Sequence, residues 1–301
     1  MIELRSGGLR AVVLPAVGGG LARLDWVGNP GCAGALAAEP VPVLRPLADG
    51  VAQPLPGQLA CFPLVPWSNR IAPGGFEFQG RRITPAPTRE GEPCPIHGEG
   101  WRMPWHVEAR DECSVVLSLY RRDGSPFAFT AHMAYTLSDN VLRVTLKVTN
   151  NGRHPLPFGL GLHPWMPCPD DARLRAVADG VWLSGADKLP AGRSALPPGW
   201  NFCGEAPRPL PSDGVDNAFT GWDGKAQIDW PSRRLRLHIS TDMGYYILYV
   251  PPGKDFFCFE PVDHPVNAHN LPGGATAHGL TVLAPGQDLR RTVRFTVEEI
   301  A

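Results

Sequence analysis

The ten residues VLRVTLKVTN, Val141–Asn150, alternate between apolar and polar side chains. Successive side chains of an extended chain project to opposite faces, so the leucines and valines of this segment share one face. The dipeptide Asn151-Gly152 that follows is typical of a turn. The segment therefore predicts a half-buried antiparallel strand.

The same alternation recurs around residues 235–239 and 293–297. Residues 251–255, PPGKD, predict a turn between a strand at Tyr245–Val250 and another at residues 256–260. No segment has the period or length of a helix longer than two or three turns. We therefore expect an all-β fold built from many strands.

Glycine and proline number 34 each among 301 residues and are spread along the whole chain. Their densest stretches, residues 40–56, 85–95 and 189–211, are predicted to be long surface loops. No weakly hydrophobic linker divides the chain, and 43% of its residues are hydrophobic. We expect a single domain over residues 1–301, folded as a large antiparallel β-sandwich.

The net charge is −1, and like charges do not cluster. This pattern argues against partners such as nucleic acid or an anionic membrane, and favours a nearly neutral ligand. No stretch approaches the roughly 18 apolar residues that span a bilayer. The first 15 residues lack the layout of a secretory signal, so we expect a cytoplasmic location.

The seven cysteines are odd in number, far apart and without a Cys-x-x-Cys pair, which argues against a disulfide framework and against a zinc site. We interpret most of them as small buried hydrophobic residues. They are Cys32, Cys61, Cys94, Cys113, Cys168, Cys203 and Cys258.

Four segments combine reactive polar groups with aromatic neighbours. They carry Asn69-Arg70, His97, His163 and Glu260. Partial burial of Glu260 would raise its pKa toward that of an effective general base. An ion pair for Glu260 and a core position for each histidine are the structural alternatives.

Nine tryptophans suit a sugar pocket, because the C–H face of a sugar packs on indole while its hydroxyls need polar partners. Trp67, Trp101, Trp165 and Trp222 lie within six residues of a polar candidate. We expect at least half of the tryptophans to be core residues.

The order of these pieces resembles the aldose 1-epimerase, or galactose mutarotase, family. The resemblance covers nearly the whole chain and rests on these motifs: Asn69-Arg70-Ile71 with Gly75-Phe76, His97-Gly98, His163 with an aromatic residue two positions on, Asp216-Asn217-Ala218-Phe219, Phe259-Glu260-Pro261 and Leu283-Ala284-Pro285-Gly286-Gln287.

The resemblance implies the galactose mutarotase-like supersandwich fold and a reaction that needs no metal and no organic cofactor. It implies that Glu260 is the general base, His163 the general acid and His97 a second imidazole near the ring oxygen. Residues that bind the sugar would be Arg70, Asn69, Asp216 and Trp165. The expected partner is a monosaccharide, and the expected assembly is a monomer or homodimer.

The implied reaction opens the sugar ring by acid–base catalysis and recloses it on the other face of the aldehyde. It requires opposed pKa shifts, with the imidazole charged and the carboxylate free near neutral pH. This sequence departs from the commonest family pattern at Pro164-Trp165 and Trp101, and it carries two extra histidines, His264 and His269. These departures leave the preferred sugar open.

Other interpretations remain. A hexose-phosphate epimerase of the same superfamily would need a phosphate cradle, for which Arg81, Arg82 and Arg89 are candidates. A glycoside hydrolase would use Asp216 and Glu260 as paired carboxylates. A metal enzyme would use His97, His163 and Glu260 as ligands, and a non-catalytic relative would keep only the sugar pocket.

Overall fold

The computed structural model describes residues 1–28, 39–122 and 125–301. Nearly all regular structure in these ranges is strand. The strands are β1 (Ile2–Ser6), β2 (Leu9–Leu14), β3 (Gly20–Trp26), β4 (Val41–Pro42), β5 (Cys61–Leu64), β6 (Phe76–Phe78), β7 (Arg81–Ile83), β8 (His106–Arg110), β9 (Ser114–Arg121), β10 (Phe129–Ser138), β11 (Val141–Asn150), β12 (Leu156–Phe158), β13 (Gly161–Pro167), β14 (Arg173–Ala176), β15 (Gly180–Ser184), β16 (Pro190–Ser194), β17 (Arg208–Pro209), β18 (Val215–Thr220), β19 (Lys225–Trp230), β20 (Leu235–Thr241), β21 (Tyr245–Val250), β22 (Phe256–Val262), β23 (Thr281–Leu283) and β24 (Asp288–Glu299).

Helical structure in the described residues is limited to six 3-10 helices of three or four residues, none of which could cross a membrane. They span Pro56–Gln58, Gly100–Arg102, Pro198–Trp200, Pro231–Arg233, Ala268–Asn270 and Ala275–His278. The expectation of an all-β chain without long helices is confirmed for these ranges.

Two large antiparallel sheets dominate the fold. The first has eleven strands in the order β1-β2-β3-β5-β13-β22-β21-β18-β15-β16, with β4 added beside β3. The second has nine, in the order β17-β14-β19-β20-β24-β11-β10-β9-β8. The two-stranded sheets β12-β23 and β6-β7 complete the pairing. The predicted antiparallel β-sandwich is confirmed.

The segment Val141–Asn150 forms β11 with the predicted bounds and alternating burial. It pairs with β10 on one side and β24 on the other, antiparallel in both cases. The predicted strands at residues 235–239 and 293–297 are parts of the longer β20 and β24. Periodicity therefore locates these strands, while the pairing partner decides where each one ends.

The two large sheets pack face to face over one hydrophobic core to which both contribute. Among the described residues, two fully buried hydrogen bonds join the two large sheets across this core. The hydroxyl of Tyr135 on β10 donates to the carbonyl of Gly19 at 2.9 Å, and the indole N–H of Trp230 on β19 donates to the carbonyl of Pro167 at 2.9 Å. These bonds satisfy polar atoms that the core would otherwise leave without a partner.

The opposite face of the eleven-stranded sheet carries two rows of cross-strand neighbours. Gly161 pairs with Val262 and Trp165 with Cys258, so His163 stands opposite Glu260. From β5 across to β18, one row holds Phe62, His163, Glu260, Ile247 and Ala218, and the next holds Trp165, Cys258, Tyr249 and Asp216. Six residues of these rows form the floor of the candidate site: Phe62, His163, Glu260, Trp165, Tyr249 and Asp216.

Three sequence predictions need correction. Residues 40–56 and 189–211 are not wholly loop, because the first stretch contains β4 and the second contains β16 and β17. All three lie at sheet edges, where proline and glycine are tolerated. Glu260 does not end its strand, because β22 continues to Val262. Of the cysteines in the described residues, Cys61, Cys94 and Cys258 are buried and the other three are partly exposed, while Cys32 lies outside the described residues.

Candidate active site

A cavity of about 630 Å³ lies over the two rows of the eleven-stranded sheet. This volume is typical of small-molecule sites, which measure about 300–1,000 Å³. All seven residues predicted for the site line it: Asn69, Arg70, His97, His163, Trp165, Asp216 and Glu260. The fold brings together side chains that are up to 191 positions apart in the sequence.

His163 and Glu260 form a close pair on the cavity floor. The Nε2 atom of His163 lies 3.3 Å from Oε1 of Glu260. The two residues are only 7% and 2% exposed, and neither Oε2 of Glu260 nor Nδ1 of His163 has a hydrogen-bond partner among the described residues. An acid–base pair thus presents unused hydrogen-bonding capacity in a nearly dry setting.

Burial acts on both members of this pair. It raises the pKa of Glu260 well above its usual value, with a smaller contribution in the same direction from the charge of Asp216. It also lowers the pKa of His163 to about 3. The direction of the carboxyl shift agrees with the sequence prediction. The expectation of a charged imidazole beside a free carboxylate is wrong for the free site, because removal from water favours the neutral form of each group.

His97 is held by the backbone of Asn69. The backbone N–H of Asn69 donates to the ring atom Nδ1 of His97 at 3.1 Å. The backbone N–H of His97 donates to the carbonyl of Asn69 at 2.9 Å. Because Nδ1 is an acceptor, the proton of the neutral ring sits on Nε2. Burial lowers the pKa of His97 well below its usual value, so this imidazole serves the cavity as a neutral N–H donor.

The loop that carries His97 needs left-handed backbone. Asn69 and His97 have φ of +52° and +61°, and the neighbouring Gly98 has φ of +64°. A Cβ on Gly98 would lie 2.2 Å from the carbonyl oxygen of Val65. Glycine is therefore required where this loop passes closest to the sheet, and the His97-Gly98 motif has a steric reason.

Arg70 is aimed by a residue that the sequence analysis did not single out. Its Nε and Nη2 atoms donate to Oε2 of Glu92 at 3.1 and 2.8 Å. Burial alone would raise the pKa of Glu92, but the hydrogen bonds and charge of Arg70 outweigh burial and lower it. The third nitrogen of the guanidinium group, Nη1, is not used by Glu92. It donates to the side-chain oxygen of Asn69 at 3.4 Å, beside the cavity.

Asp216 lies on β18 at the far end of the second row. Its Oδ2 atom is 3.5 Å from Nζ of Lys188, which lies in the connection between β15 and β16 and also lines the cavity. Lys188 and Tyr249 are lining residues that the sequence analysis missed. Neither carries a local motif, and only the strand register places them at the site.

Five planar groups stack in a column through the site. Ring centroids are 5.4 Å apart for Trp101 and Phe62, 4.5 Å for Phe62 and His163, and 5.1 Å for His163 and Trp165. The guanidinium carbon of Arg45 caps the column 4.1 Å from the Trp165 ring. The stack fixes the plane of the His163 imidazole and gives the cavity an aromatic wall.

The two histidines without a place in the motif pattern lie behind the site. Nε2 of His264 accepts the N–H of Ser68 at 3.1 Å, and Nδ1 donates to the carbonyl of Pro265 at 2.9 Å. His269 is buried against Phe76, with ring centroids 4.4 Å apart. His264 therefore supports the backbone next to Asn69, and neither ring is among the cavity-lining residues.

The structure also bears on the other interpretations. Of the three arginines considered for a phosphate cradle, only Arg89 lines the cavity. Arg81 donates to the carbonyl of Pro155 and Arg82 to that of Gly74, so the cradle is not assembled. Trp101 and Trp165 line the cavity, whereas Trp67 and Trp222 belong to the core. The main core holds five of the nine tryptophans, which confirms the expectation of at least half.

The one group in the described ranges whose side chains meet at metal-ligand distance consists of His163, Cys258 and Glu260. His97 is not part of it. The ligand set considered for a metal enzyme, His97 with His163 and Glu260, is therefore not the set that the fold brings together.

Comparison with known proteins agrees with this geometry. A family model for aldose 1-epimerase matches residues 1–296. The uncharacterized protein YphB of Escherichia coli (strain K12) is 35% identical over 272 residues, covering 86% of this chain and 90% of that protein. The uncharacterized protein YihR of the same organism is 31% identical over 109 residues, covering 35% of each.

Solved structures give the same result. A crystal structure from Escherichia coli K12, provisionally described as an aldose 1-epimerase, superposes with a TM-score of 0.87 at 31% identity, covering 99% of this chain and 98% of that one. The aldose epimerase homologue of C. elegans superposes with a TM-score of 0.81 at 18% identity, covering 100% and 99%, a likeness of fold. With the family model spanning almost the entire length, the chain belongs to the aldose 1-epimerase family.

Proposed function

We propose that the protein is a cytoplasmic isomerase that interconverts the α and β anomers of a hexose such as glucose or galactose. The observation that carries the proposal is the pair formed by His163 and Glu260, 3.3 Å apart on the floor of a sugar-sized cavity. Anomer exchange needs a base at the anomeric hydroxyl and an acid at the ring oxygen, and this pair supplies both.

In the proposed reaction Glu260 accepts the proton of the anomeric hydroxyl while His163 donates a proton to the ring oxygen. The bond from the anomeric carbon to the ring oxygen breaks, and the open-chain aldehyde forms. Rotation about the bond between the first two carbons presents the other face of the aldehyde. Reclosure with both proton transfers reversed gives the other anomer and restores the pair.

Besides the N–H of the neutral imidazole, Glu260 and His163 share one exchangeable proton throughout the proposed reaction. A bound sugar determines which of the two groups carries that proton. In the free site, burial favours the form with a neutral carboxyl group and a neutral imidazole. Hydroxyl groups that donate to Oε2 of Glu260 would stabilise the carboxylate and shift the proton to His163. Sugar binding would thereby generate the charged imidazole that ring opening requires.

The remaining lining residues hold the ring in place. The N–H at Nε2 of His97 is a donor for the ring oxygen or a neighbouring hydroxyl. Arg70, Asn69 and Asp216 offer donors and acceptors for the other hydroxyls. His163 and Arg45 cover the two faces of the Trp165 ring, so the edge of that ring is the part that can contact the sugar C–H groups. These groups suit a neutral pyranose.

Polarimetry tests the proposal. We expect the protein to speed the drift in optical rotation of freshly dissolved α-D-glucose or α-D-galactose. Glu260→Gln should keep sugar binding and lose about 10²–10⁴-fold in rate, the usual contribution of a positioned acid or base. The exposed Glu112 provides the matched control Glu112→Gln, which should behave as wild type.

Two results would contradict the proposal. A wild-type protein that binds sugar without changing the drift is a binding module, and an undiminished Glu260→Gln rate places the base elsewhere. The same panel should include a hexose 6-phosphate and an aryl glycoside. Preference for the phosphate would favour the phosphorylated-sugar alternative with Arg89 as its anchor, and release of the aryl group would favour a hydrolase that uses Asp216 with Glu260.

A further inference from the structure

We propose that a soft divalent cation, best matched by zinc, binds between His163, Cys258 and Glu260 and blocks the acid–base pair. The site would be inhibitory rather than part of the reaction. Binding of the cation depends only on the three side chains, whereas the inhibition rests on the proposed function. The observation that points to it is a buried thiol beside the two proposed catalytic groups.

One separation between the donor atoms already matches the edge of a tetrahedral site, and the thiol lies close by. The candidate ligand atoms of His163, Cys258 and Glu260 all lie within 4.8 Å of one another. Zinc bonds to nitrogen and oxygen of about 2.0–2.1 Å give a tetrahedral edge of about 3.3–3.4 Å, and Nε2 of His163 lies 3.3 Å from Oε1 of Glu260. One edge of the polyhedron is therefore already in place.

The thiol of Cys258 lies on the same face of the sheet as the Glu260 carboxyl group, because side chains alternate along a strand. Cys258 is two residues before Glu260 on β22, so both side chains project to the same face. Cys258 also stands opposite Trp165 in the second row. Cys61 is equally buried on the nearby strand β5 but is not in the group of ligand atoms, so burial of a cysteine alone does not create the site.

Glu260 provides the second, independent sign of a ligand. Its Oε2 atom is buried without a hydrogen-bond partner among the described residues, although the residue is only 2% exposed. Rotation of this carboxylate can bring an oxygen toward the sulfur without breaking a bond to Oε2. A buried carboxylate with an unused oxygen is a ready ligand for a cation.

The donor set selects the class of cation. A thiolate and an imidazole favour zinc over magnesium or calcium, which take oxygen ligands. The thiolate and the carboxylate together balance the charge of a divalent ion, and the nearby carboxylate of Asp216 adds to the negative potential at Glu260. Coordination replaces the thiol proton of Cys258 and the proton of the neutral Glu260 carboxyl group, and both protons pass to solvent. Three protein ligands leave one tetrahedral position for water.

A zinc ion bound to His163 and Glu260 would stop the proposed reaction. Lone pairs of His163 and Glu260 that are bound to the metal cannot accept or relay a proton. We therefore expect zinc to abolish anomer exchange and a chelator to restore it.

Cobalt provides a direct test that needs no turnover. The purified protein titrated with Co²⁺ should show a thiolate-to-cobalt charge-transfer band in the near ultraviolet, saturating at one equivalent and bleached by Zn²⁺. Cys258→Ser should remove the band and weaken Zn²⁺ binding by more than the roughly 10–100-fold typical of outer-sphere changes. Cys61→Ser, the matched control, should keep both the band and zinc sensitivity.

Absence of the band in wild type, or its survival in Cys258→Ser, would overturn the site. Absence of the band in wild type is sufficient by itself to overturn the site, so the proposal stays falsifiable even where Cys258→Ser fails to fold. Bound zinc together with undiminished anomer exchange would overturn the blocking role. Failure of the proposed function is a separate outcome, since a protein without epimerase activity would still show the cobalt spectrum.

Discussion

Arg70 places Nε and Nη2 on a single oxygen of Glu92, at 3.1 and 2.8 Å. Each side chain of this pair is 16% exposed, so the contact is only partly screened by solvent. We expect Glu92→Gln to raise KM by about 10-fold, equivalent to about 1.4 kcal/mol, with little change in kcat. The reason is that Arg70 loses its charged anchor while Glu260 and His163 are untouched.

Asp229, paired with Arg236 at 2.7 Å on the other sheet, provides the control for loss of an ion pair. Asp229→Asn should lower the free energy of unfolding and leave KM unchanged. A wild-type KM in Glu92→Gln would show that Arg70 is positioned without Glu92.

Gly98→Ala should destabilise the protein by about 3 kcal/mol or more, because it adds a Cβ 2.2 Å from the Val65 carbonyl oxygen in left-handed backbone. Gly80 has φ of +72° and open space around its Cβ position, so Gly80→Ala isolates backbone strain of roughly 1–2 kcal/mol. Urea unfolding measures both, and anomer exchange reports whether His97 has moved. Equal losses in the two variants would contradict the steric argument.

His264 should make the protein sensitive to acid. Burial lowers its pKa from 6.5 to about 4, so its stabilising contribution is complete above pH 6.5 and is lost as pH falls through 4. The shift corresponds to roughly 3 kcal/mol. Physically, protonation would place an N–H at Nε2 against the N–H of Ser68.

Urea unfolding at pH 7, 5.5 and 4.5 checks this prediction. His264→Gln should be less stable than wild type at pH 7 but should lose less stability on acidification. His132→Gln, which changes an exposed residue of β10, should follow the wild-type pH dependence. A His264→Gln curve parallel to wild type would exclude His264 as a source of acid sensitivity.

Asp216→Ala should raise KM for sugars that carry the hydroxyl bound by Asp216 and leave KM unchanged for the matching deoxy sugar. When the sugar already lacks the hydroxyl, the carboxylate of Asp216 has no hydrogen bond to make, so removing Asp216 costs no further binding energy. Anomer exchange measured over a series of deoxy sugars identifies the position. An equal rise in KM for every sugar would mean that Asp216 shapes the cavity without binding a hydroxyl.

Local periodicity was sufficient to predict β11 with its full bounds, and it located parts of β20 and β24. It failed at β16 and β17, because edge strands rich in proline and glycine look like loops in sequence. Strand ends such as Val262 depend on the partner strand, which no local window contains.

The resemblance brought the seven site residues together before any geometry was available, and their roles stay predictions, as does a single domain over residues 1–301. Glu92 and Lys188 were beyond reach of the sequence, because each matters only through a contact made 22 or 28 positions away. The charged imidazole was wrong because motif matching carries no information about burial. His264 had no assignable role until its contact with Ser68, 196 positions away, was known.

The strands that carry the two rows tolerate a different kind of sequence change from the connections around them. A one-residue insertion or deletion inside β13 or β22 would move the His163 or Glu260 side chain to the opposite face of the sheet, which packs against the core, because side chains alternate along a strand. Arg70, His97 and Lys188 sit on connections, which can lengthen or shorten without inverting the sheet. Under the proposed function, sugar preference can thus change by remodelling of the loops, while the proposed proton-transfer pair is inherited with the strand register.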